Sequence, residues 1–196
     1  MLDNRSLFER RQSERKQRKQ AAINSVALGA MHGDLRQFGE SFVDVLSDYD
    51  ARHVALRLLR RTGQAVHPVV QTHLAQTWQR MGDTWRSSIN DDRLLLDTLR
   101  LLLPTYSGPA IVVYRGDASA SERDGTYGLC WSGNKEVARQ HAENDWWRGC
   151  EGGSVLVEAY ARTEAVIHML EDRTENEYVI DHRRLRDIHV LERFCS

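Results

Sequence analysis

Tyr114-Arg115-Gly116, Tyr127-Gly128-Leu129-Cys130-Trp131-Ser132 and Val137-Ala138-Arg139-Gln140-His141-Ala142 stand in one stretch of the chain, and Glu175-Asn176-Glu177-Tyr178 follows downstream. Ahead of the first triplet, Ile111-Val112-Val113-Tyr114 is a β-branched and aromatic run after Pro104, Gly108 and Pro109, which predicts a strand. That strand delivers Arg115 at its end. A guanidinium there can grip a pyrophosphate through two parallel charge-assisted hydrogen bonds. Gly116 has no Cβ, so the backbone can approach a ligand closely. Residues 117–126 carry Asp117, Ser119, Ser121, Asp124 and Gly125 and read as a loop. Gly128 to Trp131 reads as a second short strand ending at Ser132. Ser132 or Asn134 then N-caps a helix predicted from Lys135 to Trp146, with Val137, Ala138, His141 and Ala142 along its packed side.

Glu175 to Ile180 reads as a third element. In an extended chain residues two apart point the same way, so Glu175 and Glu177 would face one site together. Two carboxylates on one face resist joint ionisation unless cations or polar groups compensate, and Arg115 is a candidate for that role. Taken singly, each signal has an ordinary meaning: an acidic pair at an edge is solvated, and Arg-Gly after a strand is a turn.

Order and spacing add to the single signals. The chain from about 105 to 196 resembles the arginine–serine–glutamate class of NAD-dependent ADP-ribosyltransferases. Members of that class carry a strand-end arginine, commonly in Tyr-Arg-Gly. A strand-end serine that opens a helix comes next, and a Glu-x-Glu or Gln-x-Glu on a later strand completes the set. Here Cys130-Trp131-Ser132 replaces the Ser-Thr-Ser of many toxins, which leaves the second small hydroxyl residue unassigned.

The resemblance implies that NAD is the substrate and that no metal is used. It implies Arg115 on the pyrophosphate, with Tyr114 beside it, and Gly116 offering backbone groups to the nicotinamide amide. Ser132 would position Glu177 or the ribose, Glu177 would serve the ribose, and Glu175 would orient or deprotonate the acceptor. Trp131, Trp147 and Tyr160 are all candidates to cover the nicotinamide. Glu-x-Glu often accompanies an arginine acceptor, while relatives modify proteins, RNA, DNA or small molecules. Small members of the class are bacterial toxins, effectors or phage-encoded modifiers. An NAD glycohydrolase and a non-catalytic binding protein on a decayed transferase scaffold are the rival readings.

With 196 residues, a 41% hydrophobic fraction and five tryptophans, the chain can build a real core. Its net charge of −1 makes no global case for nucleic acid. Three cysteines (Cys130, Cys150 and Cys195) are odd in number and widely spaced, with no CxxC or Cys/His set, which argues against a disulfide framework or zinc site. No apolar run approaches 18 residues and no signal-peptide pattern opens the chain, so a cytoplasmic protein is expected.

Residues 1–21 form a basic arm. Arg5, Arg10, Arg11, Arg15, Lys16, Arg18 and Lys19 are opposed only by Asp3, Glu9 and Glu14. Ser6 and Glu9 match a capping box, so a helix is expected there. It reads either as a solvated tail or as an arm that docks on nucleic acid or an acidic partner.

Residues 22–104 carry helical periodicity. Leu35, Phe38, Phe42, Val45, Leu46 and Tyr49 make one stripe, and Val54, Leu56, Leu58 and Leu59 a second. Val69, Val70, His73, Leu74, Trp78, Met81 and Trp85 follow Pro68, and Arg93 to Leu103 follows a cap at Asn90 or Asp91. His73 reads as a satisfied core histidine. This helical region is expected to pack on the catalytic sheet.

Strands are predicted at Gly153–Ala161, Glu164–Met169 and Arg186–Arg193. Helices first and strands afterwards argue α+β, with the resemblance implying a mostly antiparallel split β-sheet of ADP-ribosyltransferase type. The absence of G-x-G-x-x-G removes a Rossmann reading.

Overall fold

A computed structural model describes residues 4–62, 66–144, 151–170 and 176–194. The chain is α+β, and it divides into two units, Met1–Pro104 and Thr105–Ser196.

The first unit is helical: α1 (Asn4–His32), α2 (Leu35–Ser47), α3 (Tyr49–Thr62), α4 (Pro68–Ile89) and α5 (Asp92–Leu102). α1 runs without a break from the basic segment into the core, where Ile23, Val26, Ala27 and Ala30 are buried. Local chemistry sets the helix ends. Asp34 accepts the Gln37 N–H and Asp91 accepts the Leu94 N–H, each satisfying an orphan donor of a first turn. Pro68 sits in the first turn of α4, and Asn90 closes it in the left-handed region at φ 47°.

Aromatic rings join α2 to α4. Phe38 stacks on Phe42 at 4.8 Å, Phe42 meets Trp85 edge-on at 5.1 Å, and Trp85 meets Trp78 at 5.8 Å. α4 buries Val70, Leu74, Trp78, Trp85 and Ile89, whereas Val69 and Met81, expected in the same stripe, are exposed. Their positions fall off the near-four-residue spacing of the buried set. His73 is half-buried.

The second unit holds β1 (Ile111–Ala118), α6 (Ser119–Asp124), β2 (Cys130–Ser132), α7 (Lys135–Glu143), β3 (Ser154–Ala161), β4 (Val166–Leu170), β5 (Glu177–Ile180), a 3₁₀ turn (His182–Arg184) and β6 (Arg186–Phe194). The six strands lie in the order β4-β5-β2-β1-β3-β6, and every adjacent pair is antiparallel. β1 and β3 pair along their whole length, from Ile111↔Ala161 to Ala118↔Ser154. β1 and β2 share a single register pair, Tyr114↔Ser132, so the middle of the sheet is its weakest seam.

Several boundaries differ from the sequence expectation. The expected loop at 117–126 is a continuation of β1 to Ala118 followed by α6. Arg115 is therefore inside a strand and not at its end. α7 stops at Glu143, capped by Asn144, short of Trp146. β5 begins at Glu177, because Asn176 adopts φ 43°.

The sheet is covered on both faces. Val113, Val155, Val157, Ala159, Tyr127, Trp131 and Ile180 form the main core on one face. On the other, α7 buries Ala138 and Ala142 against Leu156.

Candidate active site

Alternation along β1 sends Val113, Arg115 and Asp117 to one face and Tyr114 and Gly116 to the other. The two sets do different things.

On the core side, Arg115 and Asp117 stitch the seam between β1 and β2. Arg115 Nε donates to Asp117 Oδ2 at 2.6 Å, and one terminal nitrogen donates to the Cys130 carbonyl. Asp117 Oδ2 also accepts the Gly128 N–H at 2.9 Å, and Oδ1 accepts the Ala118 N–H at 2.9 Å. The Arg115 side chain is 20% exposed and that of Asp117 is 5% exposed. Burial alone pushes the Asp117 carboxyl up. The Arg115 charge and the hydrogen bonds outweigh it, so the group sits below the ordinary carboxylate range. A Cβ on Gly128 would lie 1.8 Å from an Arg115 terminal nitrogen, so this glycine leaves the guanidinium its place. The fork expected to grip a pyrophosphate thus already makes two bonds inside the protein.

On the other side, one row of Cα partners crosses the whole sheet. Leu170 pairs with Glu177, Glu177 with Ser132, Ser132 with Tyr114, Tyr114 with Glu158, and Glu158 with His189. Directly opposed residues share a face, with Cβ atoms about 4.5–5.5 Å apart. The fold therefore brings Tyr114, Ser132 and Glu177 together from β1, β2 and β5. Ser132 Oγ accepts the Asn134 N–H at 2.9 Å, and Asn134 Oδ1 accepts the Glu136 N–H at 3.0 Å, so the Ser132 turn leads straight into α7. Burial, then the Glu158 charge and a hydrogen bond with Glu158, push the Tyr114 phenol up, which keeps it a neutral donor.

The remaining expected residues are distributed unevenly. Gly116 has a packing reason to be glycine: a Cβ would lie 2.3 Å from Ala142 N and 2.6 Å from Ala138 O, so α7 can dock only against a bare backbone. Trp131 is 1% exposed, donates from Nε1 to the Gly128 carbonyl and meets Tyr127 edge-on, so its ring belongs to the core and not to a ligand. Trp147 and Glu175 lie outside the described residues. Asn176, the residue before β5, has a left-handed backbone at φ 43°.

Asp117 and Glu158 are the residues that sequence reasoning missed. Asp117 carried a signal, standing two residues from Arg115. Glu158 carried a fainter one, as the lone charge within the apolar run Val155–Ala161.

Among the described residues no group of three or more His, Cys, Asp or Glu is arranged to hold a metal ion, and no helix is long and apolar enough to cross a membrane. Comparisons of the chain with protein-family models, curated proteins and solved structures return no match.

Proposed function

We propose that residues 105–196 cleave NAD at the nicotinamide–ribose bond and transfer ADP-ribose to a macromolecular acceptor, with protein arginine favoured and nucleic acid the other class. The observation that carries this reading is the row Tyr114–Ser132–Glu177: residues far apart in the chain become direct neighbours on one face of three adjacent strands. The short β1–β2 seam lends further support, since a single register pair, with the Arg115–Cys130 bond beside it, joins the two halves of the antiparallel sheet.

The chemistry is that of a glycosidic bond with a cationic leaving group. The C1′–N bond breaks, its electron pair leaves with nicotinamide, and positive charge grows on the ribose. Nicotinamide departs neutral, so it needs no general acid. Glu177 holds the ribose 2′-hydroxyl and balances the developing charge, and the Ser132 hydroxyl beside it fixes that arrangement. An acceptor nitrogen then bonds to C1′ and gives up its proton to a base. Arg115 and Asp117 serve by holding β1 against β2, which keeps Tyr114 and Ser132 in register.

The reading is tested by incubating the protein with NAD and candidate acceptors. Nicotinamide release is followed together with mass spectrometry of protein and nucleic acid. Release with a covalent ADP-ribose adduct supports transfer. Release alone replaces it with glycohydrolysis, and no release at all removes the enzyme.

A further inference from the structure

We propose that the site continues along β3 as a subsite for the adenosine half of the dinucleotide, with Glu158 taking the ribose diol and Tyr160 the adenine; this rests on the NAD reading above. Beyond Tyr114, the row of Cα partners reaches Glu158, a half-buried carboxylate at the centre of an otherwise apolar strand. Its place on the sheet is not explained by the seam or the core. Glu158 stands directly opposite Tyr114 across the β1–β3 pair, and its charge is one cause of the raised Tyr114 phenol.

Two residues along the same strand, and therefore on the same face, Tyr160 is 40% exposed. Its Cα partners are Val112 on β1 and Arg186 on β6. The left-handed backbone of Asp187, φ 51°, accompanies the register shift there and sets Arg186 opposite Tyr160. The charged and titratable neighbours on this stretch are Arg186, Asp187 and His189, all exposed.

The chemistry of the two ends matches the ligand. A dinucleotide carries two vicinal diols joined by a pyrophosphate. The row carries a carboxylate at Glu177 and another at Glu158, separated by three strand spacings, roughly 14 Å at the Cα atoms. Between them in the row stand Ser132 and Tyr114. Carboxylates are the usual partners of ribose hydroxyls, and an exposed ring on a sheet face is a stacking platform for a base.

Calorimetric titration of Glu158→Gln and Tyr160→Ala with ADP-ribose and, separately, with nicotinamide mononucleotide tests the assignment. Each variant should weaken ADP-ribose by roughly tenfold to a hundredfold, the scale for one charge-assisted hydrogen bond or one stacked base. Nicotinamide mononucleotide should bind as in the wild type, and thermal unfolding of both variants should stay near it. Unchanged ADP-ribose affinity, or an equal loss for both ligands, overturns the adenosine assignment while leaving NAD binding intact. Wild-type protein that binds neither ligand overturns the NAD reading itself, and this subsite with it.

Discussion

Ser132 and Glu177 are direct Cα partners across the β2–β5 pair, so a hydroxyl residue and a carboxylate residue from distant parts of the chain share one face of the sheet. The two should not contribute equally. In the proposed reaction Glu177 supplies charge where charge develops, and Ser132 acts by holding a position. Glu177→Gln is expected to lower nicotinamide release by roughly 10²–10³, the scale for one preorganised electrostatic group, with little change in unfolding temperature. Ser132→Ala should cost less in turnover. The double variant should lose less than the product of the single losses, because the residues act as a unit. Steady-state rates on the four proteins decide this; a Glu177→Gln enzyme with near wild-type turnover would remove the site.

The Arg115–Asp117 pair predicts stability rather than affinity. Asp117→Asn leaves a mostly buried guanidinium without its counter-charge and weakens the hold on the Gly128 N–H. The expected cost is about 2–3 kcal/mol in denaturant titration, somewhat below that of a fully buried pair because Arg115 keeps contact with solvent. The pH dependence has a fixed sign. The folded carboxyl of Asp117 lies below its unfolded value, so the pair stabilises fully above about pH 4 and is lost as pH falls through the folded pKa. Wild type and Asp117→Asn should therefore converge in stability under acid. Arg115→Lys should rescue poorly, since an ammonium cannot reach Asp117 and the Cys130 carbonyl with two separate nitrogens.

Much of the fold was legible where local signals agreed with the tertiary structure. Pro68 and Asp91 placed helix starts because each removes or satisfies a backbone group locally, and the β-branched run Ile111–Val113 placed a strand because such side chains pack well on a pleated surface. The sequence failed where a polar residue was used inward. Asp117 has the composition of a turn, yet its carboxylate accepts two backbone N–H groups and carries β1 onward to Ala118. Asn176 tolerates the left-handed region better than most residues, and β5 begins only after it, at Glu177. Glu158 was out of reach for a different reason: its neighbours are set by strand register, a non-local property that no spacing along the chain encodes.

Glycine substitutions separate packing from propensity. Gly116→Ala puts a methyl group 2.3 Å from the Ala142 nitrogen and 2.6 Å from the Ala138 carbonyl, both backbone atoms of α7. The helix must move, and the expected loss is about 1–3 kcal/mol or more. Gly39→Ala, within α2, meets nothing within 4 Å and should stabilise by about 0.5–1 kcal/mol through helix propensity alone. Thermal melts of both variants give opposite shifts if the packing is as described. Equal, small shifts would show that α7 does not press on Gly116.

The basic segment of α1 supplies the last prediction, and the structure divides its charges. Lys19 bonds Asp48 at 2.6 Å and Asp50 at 3.3 Å, so it belongs to the fold of the helical unit. Arg10, Arg11, Arg15, Lys16 and Arg18 are exposed on a helix whose buried contacts begin only at Ile23. Replacing Arg10, Arg11, Arg15 and Lys16 by Gln keeps helix propensity while removing four cations. Stability and NAD hydrolysis to water should then change little, because no core contact is touched. If the segment guides the protein to an acidic target, transfer to that target should fall in the variant. Wild-type transfer should also decline with rising salt, while the variant's salt dependence flattens by about one unit of slope per lost phosphate contact where the target is nucleic acid. Transfer rates equal in both proteins across a salt series would make these charges a solvated helix face, and would leave target choice to the row on the sheet.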